Sequence, residues 1–474
     1  MGVKKNFAYS TILTCSGYVF SFITYPYVSR VLGVENIGIC DFVTSIVQYF
    51  LLFATMGIAS VGTREIAKCN GNHERLSQCF SSLFWINMVA TLIVAFVYII
   101  CIFNVTKLYP YRKLMYIGLL QIVMTPFLVE WFFKGIENFK YITLRSLAVK
   151  IVYVVSVFLF VQEPEDYGVY FFLSCAMMVA NAVFNWCYKS KFVTLKFRHI
   201  ESRPYLKSFF VLGVYMLLTS MYTTFNTAYL GIVCGNTEVG YYSTAMKMQS
   251  IILAIYTAFT GVMIPRMSAL IGQGNKSEAI RLIHKSFDFL VVFSIPLVMY
   301  TMIFAPQIIR ILSGPGYENA VTPMRIVMPL IFIIGIEQIL VLQILMPYKE
   351  DKAILVNSII GALVGVAANF VVVPVFKASG SALVSLLSEF SVLLSACHFV
   401  YKRFERVMPF VLILKNILFL LPICLVMYVI SVRLSPLVSV CCSAAALVSY
   451  CWFIQCYVLH DELCLSVMSK YGRK

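Results

Sequence analysis

About fourteen stretches of roughly twenty mostly apolar residues follow one another along this chain, each long enough to cross a bilayer as a helix. In hydrocarbon every backbone N–H and C=O must be satisfied internally, so such stretches fold as helices and not as open strands. The first six windows are Phe7–Leu32, Ile37–Val61, Cys79–Phe103, Leu114–Phe133, Tyr141–Val161 and Tyr167–Tyr188. The next six are Ser208–Val233, Val239–Ile264, Phe287–Ile311, Val321–Met346, Ala353–Phe376 and Gly380–Tyr401, with breaks foreseeable at Pro296 or Pro306 in the third. Phe410–Val432 and Pro436–Leu459 close the set. Charged residues make up only 12% of the chain, about half the fraction of a soluble domain, so a water-facing surface could not be covered. The expected fold class is an all-α polytopic membrane protein with about 14 transmembrane helices.

The net charge of +16 is therefore read by its position along the chain, and no nucleic-acid partner is expected. Lys4, Lys5, Arg64, Lys68, Arg75, Lys134, Lys140, Arg145, Arg266, Arg281, Lys349 and Lys402 fall in or beside loops on one side, together with the run from Lys189 to Lys207. The other side holds few, such as Lys107, Arg112, Lys113, Lys377 and Arg433. The positive-inside rule then places both termini in the cytoplasm, which an even helix count satisfies. The first apolar run, too long for a removable signal, reads as a retained helix. Fifteen cysteines without a CxxC spacing, and five scattered histidines, support neither a disulfide framework nor a metal site.

An internal repeat organises the helices. An offset of 202 residues places Gly33 on Gly235, Gly38 on Gly240 and Arg64 on Arg266, and Gly71-Asn72 matches Gly274-Asn275 one residue later. The copies begin six helices apart, so both halves have the same orientation and form a parallel repeat. The expected organisation is an N-lobe over 1–188, a cytoplasmic linker over 189–207, a C-lobe over 208–403, and two extra helices with a cytoplasmic tail over 404–474. Two such six-helix bundles suit a transporter with a site near the midplane. The outer loops, among them GVEN (Gly33–Asn36), QEPED (Gln162–Asp166) and KASG (Lys377–Gly380), are too short for an extramembrane catalytic domain, so no enzyme is expected.

Charges within a span are costly and mark function by default. Arg30, Lys150 and Lys247 are the candidate substrate-binding cations, because Lys and Arg bind phosphate-like anions well. Asp41, Glu130, Glu337 and Glu389 are the candidate coupling or cavity carboxylates, suited to H+ or Na+, with no other cofactor expected. Arg30 and Asp41 flank the first outer turn, in position to pair across it. Asn226, Asn369, Gln249 and Gln343 fit either interhelical glue or sugar contacts.

The stretches YPYVSRVLGVENIG (Tyr25–Gly38), GTREIA (Gly62–Ala67), EWFFKGIENFKYITLRS (Glu130–Ser146), VGYYSTAMKM (Val239–Met248), IPRMSAL (Ile264–Leu270) and GALVGVAANFVVVPVFKASGSALVSLLSE (Gly361–Glu389) resemble bacterial polysaccharide repeat-unit flippases. These are the Wzx-type members of the multidrug/oligosaccharidyl-lipid/polysaccharide exporter superfamily. The resemblance implies a bacterial inner-membrane protein that moves an undecaprenyl-pyrophosphate-linked oligosaccharide, for O-antigen, capsule or exopolysaccharide, to the outer leaflet by alternating access. It also implies contact with a polysaccharide polymerase and chain-length regulator, and a lipid-tail site at helices thirteen and fourteen. Arg30 and Lys247 match cationic positions of the related lipid-linked peptidoglycan precursor flippase, and Asp41 resembles its acidic residue early in helix two. The alternative from the same superfamily is a multidrug/cation antiporter, whose cavity would be dominated by carboxylates.

Overall fold

The computed structural model describes residues 3–69, 72–197, 203–221, 223–403 and 408–459. Gly71 of the repeat match, part of the basic linker (198–202) and the tail from 460 lie outside the described residues. The described residues are helical, with no strand among them. In chain order the helices of the first half are α1 (Val3–Thr55), α2 (Ile58–Lys68), α3 (His73–Asn104), α4 (Arg112–Met124), α5 (Glu130–Gly135), α6 (Phe139–Phe160), α7 (Tyr167–Lys189), α8 (Arg203–Ser220) and α9 (Thr224–Cys234). They are followed by α10 (Asn236–Gly272), α11 (Lys276–Ile303), α12 (Ala305–Leu312), α13 (Val321–Val327), α14 (Leu330–Glu337), α15 (Asp351–Arg403), α16 (Phe410–Arg433) and α17 (Pro436–Phe453).

Eleven helical segments among the described residues are long and apolar enough to span a membrane, or twelve when the pair α8 and α9, bent by 49°, is taken as one. Two of these, Ala8–Lys68 and Asp351–Lys402, run for 61 and 52 residues. At the α-helical rise each is about 80–90 Å long, enough for two crossings. Counting each of them twice gives fourteen crossings. The breaks are single residues, Gly33 (φ 74°, ψ 171°) and Lys377 (φ 50°, ψ −125°), where four-residue outer loops were expected. A positive φ redirects the chain within one residue, at no steric cost for glycine.

Several expected spans are interrupted, Ile37–Val61 at Met56-Gly57 and Ser208–Val233 between α8 and α9 among them. Leu114–Phe133 divides into α4, a 3₁₀ turn at Thr125–Leu128 containing Pro126, a left-handed Val129 (φ 32°) and α5. Proline removes a backbone donor and ends the regular helix there. Val321–Met346 becomes α13, α14 and a π-helical segment, Gln338–Leu345. The ninth span breaks at Phe304, so that Pro306 occupies the first turn of α12, while α11 runs through Pro296.

The described chain divides into two compact units, residues 1–240 and 241–474. In the first, α1 packs against α3, α4, α6 and α9. Its core near α2, α3 and α5 is aromatic, with Phe80, Phe84, Trp131, Phe132 and Phe133 buried together. In the second, α15 packs against α13 and α14, and α11 against α14 and α16. Leu425, Val432 and Val448 on α16 and α17 are exposed apolar side chains, as a lipid-facing surface requires.

The repeat is visible in backbone geometry. Gly235 (φ 92°, ψ 177°) repeats the conformation of Gly33. A Cβ on Gly38 would lie 1.8 Å from the carbonyl oxygen of Asn236, and one on Gly240 would lie 2.2 Å from that of Val34. Val34 and Asn236 are themselves equivalent by the 202-residue offset, so the contact is reciprocal, like a two-fold interface. Only glycine admits backbones this close.

Candidate functional site

In the first unit, three cations gather on one carboxylate. Glu130 opens α5 directly after the left-handed Val129, which turns the chain so that its carboxylate meets α6. Arg145 Nη2 donates to Glu130 Oε1 at 2.8 Å, and Lys134 Nζ lies 3.9 Å from Oε2. Arg145 Nη1 donates to the carbonyl oxygen of Asn181 at 3.2 Å. Lys150, further along α6, donates to Ser16 Oγ at 2.9 Å and feels the charge of Glu130. Arg145 is 8% exposed, whereas the side chains of Glu130 and Lys134 are 32% and 41% exposed. The group is thus closed at Arg145 and open at Lys134.

The specific segment from Glu130 to Asn138 builds this corner. Trp131, Phe132 and Phe133 anchor it in the aromatic core. A Cβ on Gly62 would lie 2.5 Å from the Trp131 ring, and one on Gly135 2.6 Å from Ile66, so α2 and α5 touch through glycines. Asn185 donates to the carbonyl oxygen of Leu128 and braces the turn. Glu137, in the left-handed region (φ 58°), accepts from Asn6 Nδ2 at 3.2 Å. Asn138 caps α6 by accepting from the Tyr141 N–H. Glu130, singled out from the sequence, is therefore an ion-paired corner residue. Arg145 was assigned to a loop, yet it lies inside α6 and is the partner that holds Glu130. Its place on the same helix as Lys150, five residues away, was the available signal.

The second unit presents carboxyl groups instead. Glu337, the last residue of α14, is 8% exposed, and Glu389 on α15 is half-buried. Their carboxyls lie within electrostatic and hydrogen-bonding reach of each other. The π-helical segment starts at the next residue, a local irregularity common at functional sites. Around it, Gln338 Nε2 donates to Thr257 Oγ1 at 3.1 Å, Ser286 Oγ to Gln343 Oε1 at 2.8 Å, and Ser395 Oγ to Asn357 Oδ1 at 2.6 Å. Gln343 is thus interhelical glue, while Asn369 bonds back to Gly365 of its own helix.

The structure puts Lys150 within electrostatic reach of Glu130, and brings Glu337 together with Glu389. Arg30 is exposed three residues before the Gly33 break; Asp41, beyond it, is half-buried within electrostatic reach of Tyr170. Lys247 is half-buried on α10 and belongs to the second unit. No group of three His, Cys, Asp or Glu residues suited to a metal occurs among the described residues.

A family profile described as "Polysaccharide biosynthesis protein" matches residues 3–271, more than half of the chain. The chain belongs to this family. A second profile, MatE, matches residues 212–371. A "Putative O-antigen transporter" of Escherichia coli (strain K12) is 26% identical over 401 residues, covering 82% of this chain and 94% of that protein. One of the same description from Shigella dysenteriae is 23% identical over 402 residues, covering 83% and 98%. Among solved structures, the inward closed conformation of the lipid II flippase MurJ superposes with a TM-score of 0.76 at 14% identity, covering 96% of this chain and 99% of that one. An inward-facing multidrug MATE transporter gives 0.59 at 15% identity, with 85% and 95% coverage. The fold is that of these flippase and multidrug transporter structures. This member of the polysaccharide biosynthesis family is a multi-pass membrane transporter and not an enzyme.

Proposed function

We propose that the protein flips an undecaprenyl-pyrophosphate-linked oligosaccharide repeat unit, destined for O-antigen, capsule or exopolysaccharide, from the cytoplasmic to the outer leaflet by alternating access. The observation that supports this reading beyond the family is the cation excess at Glu130, Lys134, Arg145 and Lys150, since a transported pyrophosphate needs fixed positive charge along its path. Arg30 and Lys247 are the further cations assigned to the head group. An oligosaccharide cannot enter hydrocarbon unaided, because each unpaired hydroxyl costs several kcal/mol there; a polar path between helices removes that cost while the lipid tail stays in the bilayer.

In this reading Glu337 and Glu389, with Asp41, take up the coupling H+ or Na+, and Glu130 serves as an internal counter-ion. The basic loops face the bacterial cytoplasm, as do both termini, and the protein works in the inner membrane beside a polysaccharide polymerase and chain-length regulator. The buried carboxyl pair of the second unit is the feature that a drug/cation antiporter would share. Thermal stabilisation of the purified protein separates the two readings. Undecaprenyl-pyrophosphate oligosaccharide at a hundred times its Kd stabilises by about 2.7 kcal/mol, and Lys247→Ala weakens the effect. Stabilisation by an amphipathic cation alone would replace the flippase with the antiporter.

A further inference from the structure

The corner at Glu130 is overcharged. Arg145, Lys134 and Lys150 supply three positive charges against the single negative charge of Glu130. Arg145 spends one terminal nitrogen on Glu130 and the other on a backbone carbonyl. Its Nε is buried and has no hydrogen-bond partner among the described residues. The hydrogen bond described for Lys150 goes to a neutral hydroxyl, that of Ser16. Uncompensated charge away from water is costly, and a donor left unpaired adds to the cost. Both are relieved by the same thing, an anion with several acceptor oxygens.

The geometry points to a diphosphate subsite made by Lys134, Arg145 and Lys150, in which Glu130 is the resident counter-ion that the incoming anion partly replaces. A diphosphate diester carries two negative charges, which matches the excess of three cations over one carboxylate; a monoanion would leave one cation uncompensated. The planar guanidinium offers directed N–H donors for phosphate oxygens and the two ammonium groups act as point charges. The graded exposure, from buried Arg145 to the more open Glu130 and Lys134, gives the anion an approach from the basic-loop end of the unit. The subsite rests on the flippase reading only for the source of the diphosphate, a lipid head group.

The test is binding to the full-length protein in nanodiscs, with undecaprenyl diphosphate and inorganic pyrophosphate as separate probes. Lys150→Ala weakens binding by roughly tenfold, as loss of a half-buried charge-assisted bond should. Lys134→Ala, at a more exposed position, weakens it by about threefold. Glu130→Gln has the opposite sign: removal of the competing carboxylate tightens binding by about threefold or more. A purely structural role for Glu130 would lower the melting temperature without tightening binding. Unchanged or weaker diphosphate binding by folded Glu130→Gln would overturn the subsite. Undecaprenyl diphosphate binding that ignores all three substitutions overturns the subsite and leaves the flippase reading to rest on Arg30 and Lys247. If pyrophosphate follows the expected pattern while the lipid does not bind, the subsite stands with a soluble diphosphate as ligand and the flippase reading falls.

Discussion

The two compact units handle intramembrane charge in opposite ways. The first surrounds one carboxylate with three cations at the corner between α5 and α6. The second places two carboxyls against each other between α14 and α15, at the start of a π-helical segment. The repeat nevertheless preserved its glycines, Gly33 and Gly235 in conformation and Gly38 and Gly240 in reciprocal contact. What duplication kept is the backbone scaffold, and what diverged is the charge. This difference suits a carrier whose anionic cargo and coupling cation need separate places.

Substitutions that break or sharpen this contrast should differ in size and sign. The largest effect is expected from Arg145→Ala, which removes the charge-assisted hydrogen bonds to Glu130 and to the Asn181 carbonyl and should cost about 3 kcal/mol of stability in thermal unfolding. Gly240→Val attacks the shared scaffold. Its side chain meets the backbone of Val34, and about 2 kcal/mol of overpacking should lower the folded yield and the surface polysaccharide alike. Glu337→Gln combined with Glu389→Gln should instead add about 1 kcal/mol of stability, because the repulsion between two adjacent carboxyls is removed. The same double substitution should abolish the response of export to an imposed ion gradient. The smallest effect belongs to Gln343→Leu, which removes one interhelical hydrogen bond worth about 0.6 kcal/mol and should leave export near wild type.

Much of the architecture was readable before the coordinates, because hydropathy and the bilayer's thickness dictate helix count and length. The glycine register was readable too, since only glycine tolerates the required backbone. Glu337 and Glu389 stood out as carboxylates at membrane depth, but their adjacency depends on how α14 packs on α15, which no periodicity encodes. The Glu130–Arg145 pair was hidden for a more local reason. It requires the 3₁₀ turn at Pro126 and the left-handed Val129, a conformation a β-branched residue seldom adopts. Without that turn Glu130 reads as a coupling or cavity carboxylate and Arg145 as one more basic residue beside a loop. The breaks at Gly33 and Lys377 read as longer loops because of the polar residues around them, although helix resumes directly after each.

The most direct test of separate cargo and coupling sites is flipping of a fluorescent undecaprenyl-pyrophosphate oligosaccharide in proteoliposomes, with an H+ or Na+ gradient imposed. Lys150→Ala should raise the substrate concentration needed for half-maximal flipping by roughly tenfold and keep the gradient response. Glu337→Gln with Glu389→Gln should keep the substrate affinity and lose the gradient response. If the carboxyl substitutions weakened substrate affinity while Lys150→Ala removed gradient dependence, the assignment of cargo to the first unit and coupling to the second would be contradicted.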